Sequence, residues 1–123
     1  MSKRILVVED QEDNRRIMHD LLSDAGFEVL EAGSGDKGVE MAQTHEPDLI
    51  LMDLQLPGID GYEATRQIKS NPVLKKIPVI AVTSYALSGD NDLALEAGCD
   101  AYFSKPVSPR KLLATIKENL REA

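Results

Sequence analysis

Short apolar runs and amphipathic segments alternate five times along this chain of 123 residues. Ile5-Leu6-Val7-Val8, Leu49-Ile50-Leu51-Met52, Val79-Ile80-Ala81-Val82 and Ala101-Tyr102-Phe103-Ser104 read as buried strands. Phe27 to Ala32 alternates apolar and polar residues, as a half-exposed edge strand does. Between the runs, Glu12 to Ala25 has helical spacing, with Ile17, Leu21 and Ala25 on one face and Gly26 as its stop. Gly35 to His45 carries Val39, Met41 and Ala42, and Asp60 can cap a helix reaching about Ser70. Leu87 to Ala97 ends at Gly98, and Ser108-Pro109 opens a last helix to about Arg121. Strict alternation of this kind predicts an α/β fold, a doubly wound parallel sheet with helices on both faces.

In such a sheet, ligands bind beyond the carboxyl ends of the strands. Four of the runs end on residues able to handle a phosphoryl group: Glu9-Asp10, Asp53, Thr83 and Lys105. Three carboxylates brought together repel one another unless a positive charge sits among them. A hard divalent cation such as Mg²⁺, which takes oxygen ligands, answers that need. Glu9 and Asp10 could instead only favour the positive end of the first helix. A second acid at another strand end and a lysine at a third argue for a site. Within it Asp53 can attack phosphorus, Lys105 can pair with phosphoryl oxygens, and Thr83 offers a hydroxyl.

The length suits one domain. No apolar stretch is long enough to span a membrane, and the N-terminus lacks the pattern of a secretory signal. Cys99 is the single cysteine, so no internal disulfide forms, which fits a reducing cytoplasm. Cys99 reads as a small core hydrophobe. The net charge of −7 and the lack of a basic stripe argue against direct nucleic-acid binding.

The motifs VVED, LMDLQLPGIDG, VTSYA and GCDAYFSKP, in this order, resemble the receiver (CheY-like) domain of two-component response regulators, and the resemblance spans the chain. It implies a flavodoxin-like (βα)5 fold with strand order 2-1-3-4-5. It implies that Asp53 is the phosphoacceptor and that Glu9, Asp10, Asp53 and the backbone carbonyl of Gln55 hold Mg²⁺. Thr83 and Tyr102 would be the switch pair, Lys105 the phosphoryl contact, and the Lys105-Pro106 bond cis. Gln55 and Tyr85 would tune self-dephosphorylation. The protein would be a switch that catalyses its own phosphorylation and dephosphorylation, not a turnover enzyme. Its partners would be a histidine kinase or phosphotransfer protein and a downstream protein target, with Arg15, Met18 and Leu22 of the first helix as a docking face. Among receivers the chain is most similar to stand-alone regulators of the DivK type, so residues 1–123 are expected to form a single receiver domain without an effector. Its first pocket strand ends Glu-Asp-Gln, where many relatives have Asp-Asp or Glu-Asp-Asn.

Three other readings compete. Gly33-Ser34-Gly35-Asp36-Lys37-Gly38 satisfies G-x-G-x-x-G, but it follows the second strand, and the first ends in acids. An aspartate-nucleophile phosphohydrolase needs an acid two residues after the nucleophile, where this chain has Gln55. A flavodoxin needs a Ser/Thr-rich phosphate loop after the first strand, where acids would repel the phosphate. His19 and His45 lack ligand spacing, and Glu12 and Asp13 read as solvated.

Overall fold

Each apolar run forms a strand and each strand feeds a helix. In the computed structural model, which describes residues 3–83 and 90–121 (and no side chains at 90–92 and 121), the order is β1 (Arg4–Val8), α1 (Glu12–Asp24), β2 (Glu28–Ala32), α2 (Gly35–His45) and β3 (Leu49–Asp53). α3 (Gly61–Ser70), β4 (Val79–Thr83), α4 (Asp90–Ala97), β5 (Ala101–Ser104) and α5 (Pro109–Arg121) follow. The five strands pair in parallel in the order β2-β1-β3-β4-β5. This is the expected flavodoxin-like order. The direction of winding reverses between β1 and β3, and the crevice at their carboxyl ends is where such folds bind ligands.

Period-two alternation divides the core between the two faces of the sheet. Leu6, Val8, Ile50, Met52 and Ala81 pack toward Val39, Ala42, Ala64, Ile68 and Ala94 of α2, α3 and α4. Ile5, Val7, Leu49, Leu51 and Ile80 pack toward Leu22, Leu112 and Ile116 of α1 and α5. Every residue of β3 and β4 is buried, as central strands require, whereas β2 at one edge is only partly so, and β5, expected to be buried, lies at the other edge with no fully buried residue. At the starts of α2 and α3, side chains supply the missing acceptors: Ser34 Oγ accepts from Lys37 N at 3.1 Å, and Asp60 Oδ1 from Glu63 N at 2.9 Å.

One expected face is wrong. Ile17 is 64% exposed and Ala25 is also exposed, while Leu22 is fully buried. The core stripe of α1 runs through Met18, Leu21 and Leu22. Residues 18, 21, 22 and 25 satisfy helical spacing as well as 17, 21 and 25 do, so periodicity alone leaves the rotation of the helix open. The start expected at Leu87 for the fourth helix lies outside the described residues. No helix among the described residues is long and apolar enough to cross a membrane.

The glycine-rich stretch has a packing role. A Cβ on Gly35 would lie 2.5 Å from the Ile59 carbonyl oxygen, and one on Gly38 would lie 2.8 Å from a Val8 methyl. These glycines let α2 press against β1 and the β3–α3 loop.

Cys99 is buried and donates to Thr65 Oγ1 at 3.8 Å. Burial pushes its thiol up from the ordinary cysteine value. The neutral thiol is a poor nucleophile. Iodoacetamide is therefore expected to leave Cys99 unmodified in the folded protein and to modify it fully in urea. Rapid native labelling would contradict this packing.

Candidate functional site

The carboxyl ends of β1, β3 and β5 converge. Strand alternation places Glu9, Asp53 and Lys105 on the parity of Val7, Leu51 and Phe103, the α1/α5 face. The Lys105 ammonium donates to Glu9 Oε1 at 2.7 Å and to Asp53 Oδ2 at 3.4 Å. Glu9 and Asp53 are each only 5% exposed. Buried carboxylates need partners, and both have more than the lysine. Glu9 Oε2 accepts from Gln11 N at 3.1 Å, and Asp53 Oδ1 accepts from Gln55 N at 2.9 Å.

Asp10 is exposed at the rim, yet carboxylate oxygens of Glu9, Asp10 and Asp53 all lie within 4.8 Å of one another. Three carboxyl groups this close offer an all-oxygen donor set, which suits a hard divalent cation. Burial opposes charge on Lys105, but its hydrogen bond to Glu9 and the charges of Asp53 and Glu9 outweigh that, so its pKa is raised. Lys105 is thus a fixed cation at neutral pH. Its backbone N–H donates to the Thr83 carbonyl at 2.7 Å, which ties β5 to the end of β4. The Lys105-Pro106 bond is cis, as expected.

Thr83 and Tyr102 occupy the other parity. Tyr102 stands beside Ala81 in the register, and Thr83 is the next residue of β4 on that face. Thr83 is buried, and Tyr102 is half-buried against the α2–α4 side of the core. Tyr85 lies outside the described residues.

The docking face expected on α1 needs correction. Leu22 is core and offers no surface. Arg15 spends its guanidinium within the chain, on the Glu9 carbonyl at 2.9 Å and on Glu31 at 3.1 Å. What α1 does expose is Ile17, at the lip of a groove of about 430 Å³ lined by Asn14, Met18, Leu21, Pro106 and Val107, with Glu9 and Lys105 in its wall. The signal that could have found it was a surplus apolar residue on α1, one more than a single core stripe needs.

Residues 5–117 match the response regulator receiver domain family. The chain belongs to that family. It is 43% identical, over the whole of both chains, to the polar-differentiation response regulator DivK of Brucella ovis. A putative response regulator from Chloroflexus aurantiacus superposes with a TM-score of 0.94 at 29% identity, covering 98% of this chain and 99% of that one. The receiver domain of a sensor histidine kinase from Pseudomonas aeruginosa, solved with a magnesium ion coordinated in its active-site cleft, gives a TM-score of 0.91 at 34% identity, covering 98% of each chain. As a receiver, the chain is the phosphoryl-accepting component of a two-component system.

Proposed function

We propose that Asp53 is the acceptor, and that Glu9, Asp10, Asp53 and the Gln55 carbonyl hold Mg²⁺. The observation that carries this reading is the meeting of three carboxylates with Lys105 at the strand ends. The donor set is all oxygen, which Mg²⁺ requires. Bound there, the ion would screen the repulsion between the acceptor carboxylate and an incoming phosphoryl group. An Asp53 carboxylate oxygen forms a bond to phosphorus as the bond from phosphorus to the donor's imidazole nitrogen breaks. The electron pair of that bond returns to the imidazole, and the product is an acyl phosphate. Lys105 stabilises charge on the phosphoryl oxygens, being already cationic and already held by Glu9.

Thr83 then turns its hydroxyl toward a phosphoryl oxygen, and Tyr102, its neighbour on the same face, follows into the space released. This is a two-state shift biased by one local charge. Gln55 and Tyr85 set how fast the acyl phosphate is hydrolysed. Self-catalysis of this kind needs no external phosphatase. Phosphoryl incorporation from acetyl phosphate and Mg²⁺, lost on Asp53→Asn, tests the assignment.

The donor is a histidine kinase or phosphotransfer protein that docks on the Ile17 groove beside Lys105. Met18 remains part of that face. Ile17→Glu should slow transfer from the partner by about tenfold, equivalent to about 1.4 kcal/mol, and leave acetyl phosphate labelling unchanged. Equal loss in both assays would place Ile17 in folding rather than docking.

A further inference from the structure

Arg15 stands in the first turn of α1, where its backbone N–H donates to the Gln11 carbonyl at 2.9 Å. Its side chain turns back across the β1–α1 loop. One guanidinium nitrogen donates to the Glu9 carbonyl at 2.9 Å, and Nε donates to Glu31 Oε1 at 3.1 Å. Glu31 belongs to β2, and its other oxygen lies 3.1 Å from His19 Nδ1. The Glu9 N–H is also taken, by the Ala32 carbonyl at 3.0 Å. The backbone of Glu9 is therefore gripped on both sides, by strand β2 on one and by Arg15 on the other.

The Glu9 carbonyl and the Asp10 N–H belong to one planar peptide unit. Whatever orients that carbonyl orients the peptide joining the first two acids of the pocket. Glu9 has its own side-chain anchors, Gln11 N and Lys105. Asp10 is exposed, and its carboxylate stands where the backbone directs it. The planar fork of Arg15 spans a carbonyl and a carboxylate at once, which a lysine ammonium on its flexible stem does not reproduce.

We infer that Arg15 is a positioning residue for the metal site: by clamping the Glu9–Asp10 peptide to Glu31, it holds Asp10 in register with Glu9 and Asp53. This rests on the reading of the three acids as the Mg²⁺ site. Its consequence has an unusual sign. By charge alone, removing a cation beside an acid cluster should tighten binding of Mg²⁺. Removing a clamp should weaken it. Loss of partners that orient metal ligands typically costs 10–100-fold in metal affinity.

The test is calorimetric titration of the full chain with Mg²⁺, comparing wild type with Arg15→Ala, Arg15→Lys and Asp10→Asn. Arg15→Ala is expected to bind about tenfold more weakly, and Arg15→Lys more weakly than wild type despite its unchanged charge. Affinity unchanged or tighter in Arg15→Ala, with Asp10→Asn impaired, would overturn the inference. Wild-type affinity in Asp10→Asn would instead overturn the metal-site reading itself. Thermal unfolding in EDTA separates a folding defect from a binding one. Should Arg15→Ala not fold, Arg15→Lys carries the same test: weaker binding supports the clamp, and wild-type affinity overturns it.

Discussion

Asp53→Asn is expected to abolish Mg²⁺-dependent phosphorylation by acetyl phosphate. The carboxamide has nearly the volume of the carboxylate, so a site only 5% exposed still closes around it. The backbone N–H of Gln55, which donates to Asp53 Oδ1 at 2.9 Å, can still find the amide oxygen. Lys105 keeps its shorter bond, to Glu9 at 2.7 Å, so the ammonium is not left unpaired. The variant should therefore fold while losing the anionic oxygen that attacks phosphorus. Intact-protein mass spectrometry reads the result as presence or absence of one phosphoryl group. Wild-type labelling of the variant would move the acceptor to another acid, and Asp10 would be the first to replace.

Gly61→Ala should be the more damaging change to the fold, though it adds one methyl group. A Cβ at Gly61 would lie 2.3 Å from the Asp53 carbonyl oxygen and 2.6 Å from the Leu54 Cα. Both obstacles are backbone, so neither can rotate away. Alanine in place of glycine favours a helix by up to about 1 kcal/mol. Overpacking a close contact costs about 1–3 kcal/mol and occasionally more, so the clash wins. A net loss of about 2 kcal/mol, seen as a lower urea midpoint, is expected. The first residue of α3 donates its N–H to the Leu54 carbonyl at 3.2 Å, so the strain falls on the loop that carries Gln55. Mg²⁺ affinity should fall with stability. A variant as stable as wild type would mean that α3 can shift away from β3 without cost.

The strands were legible because four are short apolar runs bounded by turn residues and the second alternates as an edge strand does, and the strand ends carried the chemistry openly. Asp53, Glu9, Asp10 and Lys105 could be brought together on paper because parallel strands all end on one side. The rotation of α1 was not legible. Five apolar residues at 17, 18, 21, 22 and 25 admit two stripes, and only packing against Leu112 and Ile116 chooses between them. That choice removed Leu22 from the surface and brought Ile17 onto it. The role of Arg15 was hidden for another reason. Its partners are a carbonyl six residues back and a glutamate on a neighbouring strand, and main-chain acceptors leave no trace in a pattern of side chains.

The bond between Lys105 and Glu9 joins residues 96 positions apart. Parallel pairing offers no local shortcut to it, since β5 is joined to β1 in the sheet only through β4 and β3. Contacts of such sequence separation carry a loop-closure cost that slows folding. On the role proposed for Lys105, competence to take up a phosphoryl group depends on the completed sheet. A chain whose last strand has peeled away would hold its acids without the lysine that bridges them.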